Sequence, residues 1–72
     1  MTRLDQFVTT EHIKPRELAR VAFISRQHLS RLRAGTAEPT RPVMVRLTMA
    51  CTLILHRRVR LEELFDLTDA GV

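Results

Sequence analysis

The sequence predicts an all-α fold: a compact bundle of five short helices in one domain spanning residues 1–72. Three observations carry this. Apolar residues recur at three- and four-residue spacings in five separate stretches, the pattern of amphipathic helices. Residues that suit helix ends stand at the borders of these stretches, with Thr2, Ser25 and Thr40 as N-caps, Pro15 at a first helical position and Gly35 at a helix stop. No run alternates in the Val/Thr/Tyr manner of a strand, and two glycines and three prolines suit a helical protein with few turns.

Composition bounds the classes of function. The chain is 44% hydrophobic and 28% charged, which is ordinary for a globular protein and argues against disorder. A domain this small buries only about 60% of its unfolded surface, and it leaves no room for a separate catalytic domain. Cys51 is the single cysteine, so no internal disulfide forms, and its apolar helix makes it a small buried hydrophobe. Arg3 and Asp5 interrupt the start, so no secretory leader is expected. The longest uncharged run, Leu47 to Leu55, falls far short of the roughly 20 residues of a membrane span. A cytoplasmic protein is expected.

The first helix runs from Thr2 to Glu11, with Leu4, Phe7 and Val8 as its inner stripe and Asp5 near its positive dipole end. Ile13 in the following link packs inward. The second helix, Pro15 to Ala22, turns Leu18, Ala19 and Ala22 inward, small residues that let another helix approach closely. Only Phe23 and Ile24 separate it from the Ser25 cap of the third helix, Arg26 to Ala34. Thr36 to Pro39 is a loop, and Thr40 caps a fourth helix that reaches Leu55. Val43, Met44, Leu47, Ala50, Cys51 and Ile54 form one broad apolar face on it. Val45, Met49 and Leu53 form a second stripe at i, i+4 and i+8, which is either core or a dimer surface. The core reading is preferred, because five short helices can surround one. His56 to Arg60 is a basic linker that can cap the preceding helix, remain solvated or hold phosphate. Leu61 to Leu67 is a short final helix with Leu61, Leu64 and Phe65 inward, and Thr68 to Val72 is a frayed tail or the edge of a dimer contact.

Residues 15–35 carry the functional signal. At about 100° per residue, Leu29 and Leu32 point to one side of the third helix, and Arg26, Gln27, Ser30, Arg31 and Ala34 point to the other. The outward set suits the major groove of duplex DNA. Arginine can bridge the two acceptors of guanine, glutamine can do the same for adenine, and alanine leaves room for a thymine methyl. Two short helices joined by a tight turn fit the helix-turn-helix, whose second helix enters that groove. Six basic residues face one acidic residue, Glu17, between Lys14 and Arg33, a balance that favours a polyanion.

On Leu18, Ala19, Ile24, Ser25, Leu29 and Leu32, the stretch resembles the helix-turn-helix of phage-repressor-like (Xre/Cro-type) regulators. The segments GTAEPTRPVMVRL and LEELF are similar to the family's fourth and fifth helices, so the resemblance covers roughly Leu4 to Leu67. It implies a lambda-repressor-like DNA-binding domain and a sequence-specific transcriptional regulator of duplex DNA, a repressor, associated with the nucleoid. Arg26, Gln27, Ser30 and Arg31 are the expected base readers. The resemblance places the loop before the fourth helix, and that helix's start, along the DNA backbone. Amides at a helix start bind phosphate, so Thr40 and Arg41 are expected backbone contacts. Pro15 stands where the family commonly carries a polar, phosphate-gripping residue. Lys14 and Arg16 are the expected substitutes, with Arg33, and with His28 at the edge of the face. Phe23 stands where the family usually has a turn glycine. Either its backbone is left-handed and strained, or the turn is built differently; packing against Phe7 or Leu29 is expected to hold it.

No enzyme constellation appears, and no cofactor or small-molecule ligand is expected. His12, His28 and His56 lack metal-ligand spacing with one another and with Cys51, and there is no glycine-rich phosphate loop. With no Trp or Tyr, and three Phe expected inside, stacking on single strands is not expected. A homodimer would supply two reading helices. The alternative is a protein-interaction module on the same fold, such as an antitoxin or adaptor, supported by the Val45/Met49/Leu53 stripe.

Overall fold

Leu4, Leu18, Leu29, Leu47 and Leu64 are fully buried, and each comes from a different helix. The computed structural model describes residues 2–66, which form α1 (Arg3–Thr10), α2 (Pro15–Ala22), α3 (Arg26–Ala34), α4 (Arg41–Leu55) and α5 (Leu61–Leu64), with no strand among them. Helix α4 packs chiefly against α2 and also against α5, while α1 packs against α3 and α5, and α2 against α3. The core closes around these five leucines with Phe7, Val8, Ile13, Val43 and Cys51. Among the described residues no helix is long and apolar enough to cross a membrane.

The helix starts follow from side-chain chemistry. Thr2 Oγ1 accepts from the Asp5 amide at 3.0 Å, Ser25 Oγ from the His28 amide at 3.0 Å, and Thr40 Oγ1 from the Val43 amide at 3.4 Å. Each satisfies an amide that the helix itself leaves unpaired. Lys14, whose ammonium only donates, makes no such bond before α2, and Pro15 begins that helix without an N–H to satisfy.

The helix ends explain a departure from expectation. After α1, α2 and α3 the chain takes one left-handed step, at His12 (φ 57°), Phe23 (φ 59°) and Gly35 (φ 82°). In each case the next amide reaches back over the last turn: Ile13 to the Val8 carbonyl, Ile24 to Ala19 and Thr36 to Arg31, each at 3.0 Å. This is the Schellman closure, which satisfies end carbonyls of the helix. The left-handed residue is thrown outward and the following residue turns in, so Ile13 is buried and Ile24 half-buried. Phe23 is therefore not among Phe7 and Leu29 as expected; it is 83% exposed. Its backbone is nevertheless left-handed, the conformation that the sequence raised as one of two outcomes.

Helix α4 also departs from expectation. It buries Val43, Leu47, Ala50 and Cys51 but leaves Val45, Met49 and Leu53 43%, 62% and 65% exposed. The expected central, surrounded helix is not formed. A 15-residue helix is about 22 Å long, and its partners are two turns of α2 and the single turn of α5, too little to wrap it. Burial pushes the Cys51 thiol up to about 12, so it remains a neutral, inert packing group.

The basic linker is anchored at Arg57 and Val59, while His56, Arg58 and Arg60 remain exposed. Arg57 lies 3.5 Å from Glu11 and 3.4 Å from Glu63, with its guanidinium 5.8 Å above the Phe7 ring. Val59 is buried, and its amide donates to Thr52 Oγ1 at 3.1 Å. The Arg60 amide donates to Glu63 at 2.9 Å and holds that carboxyl below its ordinary value, a fixed charge at the start of α5. Helix α5 stops at Leu64, and Phe65 is extended but still buried. The expected membership of Leu67 and the tail from Thr68 to Val72 lie outside the described residues.

Candidate nucleic-acid interface

Helix α3 is held by its inner face, where Leu29 and Leu32 are 1% and 3% exposed. The opposite face presents Arg26, Gln27, Ser30, Arg31 and Ala34, all exposed. His28 and Arg33 are half-buried at the two borders of that face. The positions follow from helical periodicity alone, with two leucines anchoring the side opposite the polar arc.

A shallow, open depression brings Pro15 of α2 together with Arg26, Gln27, Ser30 and Arg33 of α3. The start of α2 therefore adjoins the polar face, a proximity that the linear sequence does not display. Lys14 and Arg16, on either side of Pro15, are exposed. Thr40 and Arg41 are also exposed, at the start of α4, and neither lines the depression beside α3.

The cations divide into two kinds. Lys14, Arg16, Arg26, Arg31 and Arg41 form no ion pair among the described residues. Among the described residues their charges have no direct ionic partner, and those of Arg26 and Arg31 make the outer face of α3 positive. Arg33 is different. Its Nε donates to Asp5 Oδ1 at 2.9 Å, and its Nη2 lies 2.8 Å from the same oxygen as an ion pair. Thr2 Oγ1 adds a bond to the Arg33 carbonyl at 2.8 Å. The residue expected to grip phosphate instead ties the end of α3 to the start of α1. Sequence reasoning could not find this link, because its partners are 28 and 31 residues apart.

No group of three or more metal-ligating side chains comes together among the described residues. The polar face of α3 is flanked by an open depression. Comparison with family models, curated proteins and solved structures finds no match for this chain.

Proposed function

We propose that the chain is a helix-turn-helix protein of the phage-repressor-like kind that binds duplex DNA in a sequence-dependent way and acts as a transcriptional repressor in the cytoplasm. The observation that carries this reading is the outer face of α3, where Arg26, Gln27, Ser30 and Arg31 stand exposed and the arginines have no ion pair among the described residues, on a helix only nine residues long. Arg26 and Arg31 can each bridge a guanine, Gln27 can bridge an adenine, and Ser30 can bond either. Lys14 and Arg16 beside the adjoining Pro15, together with Thr40 and Arg41 at the start of α4, supply backbone contacts. His28 at the border is placed for sugar-phosphate. Arg33 contributes by fixing α3 through Asp5 rather than by touching DNA. One α3 reads only a few base pairs, so two copies on half-sites about 34 Å apart give the reading its natural operator.

Selection of bound duplexes from a random pool supplies the preferred site, and titrations of variants then test the reading. Gln27→Ala and Arg31→Ala are each expected to cost about 1–3 kcal/mol on that site and little on random duplex, because only the correct base offers the lost bonds. Arg41→Ala is expected to weaken both duplexes alike and to lower the salt slope by about one. If Gln27→Ala and Arg31→Ala leave the preference untouched, α3 does not read bases and the protein-partner alternative replaces this function.

A further inference from the structure

We infer that the outer face of α4 is a docking surface for an amphipathic helix of another protein whose apolar row is flanked by carboxylates. The surface begins as a ridge. Val45, Met49 and Leu53 are exposed in a single row at four-residue spacing, and such rows are what helices interlock when they pack. Thr48 and Thr52 beside the row donate their hydroxyls to the Met44 and Thr48 carbonyls, so neither offers a free donor there. The row has room for an apolar partner and little to offer a polar one. Methionine at its midpoint adapts readily to a partner's shape.

The rim identifies the partner. Arg41 precedes Val45 by four residues and Arg46 precedes Met49 by three, so both border the row on the helix surface. His56 and Arg58 are exposed beyond its far end. From Arg41 to Arg60 the chain carries five arginines and no carboxylate. Arg41, Arg46 and Arg58 form no ion pair among the described residues. A second copy of this chain does not complement such a rim. Antiparallel packing about Met49 sets Arg41 of one copy near His56 and Arg57 of the other, and parallel packing sets Arg46 against Arg46. In the parallel case like charges gather with no acid between them, and in the antiparallel case the only acids nearby, Glu11 and Glu63, are already held by Arg57, so a second copy brings no open carboxylate to the row, which counts against it. Among the described residues no carboxylate pairs with Arg41, Arg46 or Arg58, and carboxylates flanking a partner's apolar row would supply that charge. An anionic membrane would supply it too, but a membrane-surface helix relies on a broad apolar face, whereas this row is one residue wide and carries no aromatic anchor. The row lies on α4 and shares only Arg41 with the proposed DNA contacts, so variants at Met49 and Arg46 test it independently of the DNA-binding reading.

The test uses the full chain labelled for amide resonances and two synthetic helical peptides with the same leucine row, one flanked by glutamate and one by lysine. The glutamate peptide is expected to shift the Val45–Leu53 amides saturably, more weakly at high salt, and the lysine peptide is expected not to. Met49→Asp should weaken the glutamate peptide by about tenfold or more and leave DNA binding unchanged. Arg46→Glu should weaken the glutamate peptide and strengthen the lysine peptide, and it decides the matter where Met49→Asp fails to fold. Equal binding of both peptides, no saturable shift, or shifts elsewhere on the molecule overturns the inference. So do shifts on this row that follow protein concentration without peptide, which would identify a second copy. Binding of phosphatidylglycerol vesicles, rather than peptide, through Met49 overturns it in favour of a membrane.

Discussion

Helices α3 and α4 bury their inner sides in one core, and both carry exposed arginines outside that form no ion pair among the described residues, yet their outer faces have opposite chemistry. The outer side of α3 is polar from Arg26 to Ala34, with hydrogen-bonding groups that water can satisfy when nothing is bound. The outer side of α4 is an apolar row that water only tolerates. The core fixes which side of a helix faces in, and it leaves the other side free to take the character of its partner. Polar donors at fixed spacing suit a partner read by hydrogen bonds, and an apolar ridge suits one recognised by packing.

The largest expected effect tests whether α4 truly has an inner and an outer side. Leu47 is fully buried, and Leu47→Ala should destabilise the fold by about 2–5 kcal/mol through lost burial and a residual cavity. Total stability is about 0.05–0.15 kcal/mol per residue, so this loss would consume much of it. Met49→Ala, two residues along, should change stability by less than about 0.5 kcal/mol. Paired thermal melts check this. A substantial loss at Met49 would mean that the row is covered in solution and would erase the contrast between the two helices.

Much of this arrangement is legible in the sequence. The bounds of α1 to α4 follow from threonine and serine caps, Pro15 and Gly35, because each acts on the backbone within four residues of itself. The polar arc of α3 follows from periodicity. What is not legible depends on contacts distant in the chain. Periodicity marks Val45, Met49 and Leu53 as a stripe but cannot say whether enough helix surrounds them. An arginine on a helix border looks the same whether it is free, like Arg26, or paired, like Arg33 with Asp5. Phe23 is an intermediate case. Hydrophobicity argues for burial, but a local signal argued otherwise: His12-Ile13 and Phe23-Ile24 each place an apolar residue after the left-handed step, and it is the isoleucine that turns inward.

A middle-sized effect follows at the turn between α2 and α3. Phe23 holds a left-handed backbone while 83% exposed, so it bears a conformational cost without the burial that would offset it. Phe23→Gly should remove about 1–2 kcal/mol of that cost, less about 0.4–1 kcal/mol for the greater freedom of glycine in the unfolded chain. A net gain near 1 kcal/mol raises the melting temperature of a small domain by about 4–8 °C. A fall instead would place apolar contacts on Phe23 in solution, and the exposed large hydrophobic side chains among the described residues would then all lie on α4.

The smallest expected effect separates the two kinds of arginine within α3. Arg33 is paired to Asp5 and about a quarter exposed, whereas Arg26 and Arg31 are unpaired and open. Asp5→Asn removes the charge that holds Arg33. The pair is partly solvated, so stability should fall by less than about 1 kcal/mol. The released guanidinium lies beside Ser30 at the edge of the reading face, where a backbone phosphate is within the range of its side chain in the proposed complex. Binding to random duplex should therefore tighten, and the salt slope should rise by about one, the reverse of Arg41→Ala. Losing a negative charge near DNA would tighten binding by itself, so the decisive comparison is Asp5→Asn with and without Arg33→Gln. If Arg33→Gln returns the slope to its original value, Asp5 keeps a DNA-competent cation out of the interface. If the slope is the same in both, Arg33 serves only to fasten α3 to α1, and the free arginines account for all the charge that this helix brings to DNA.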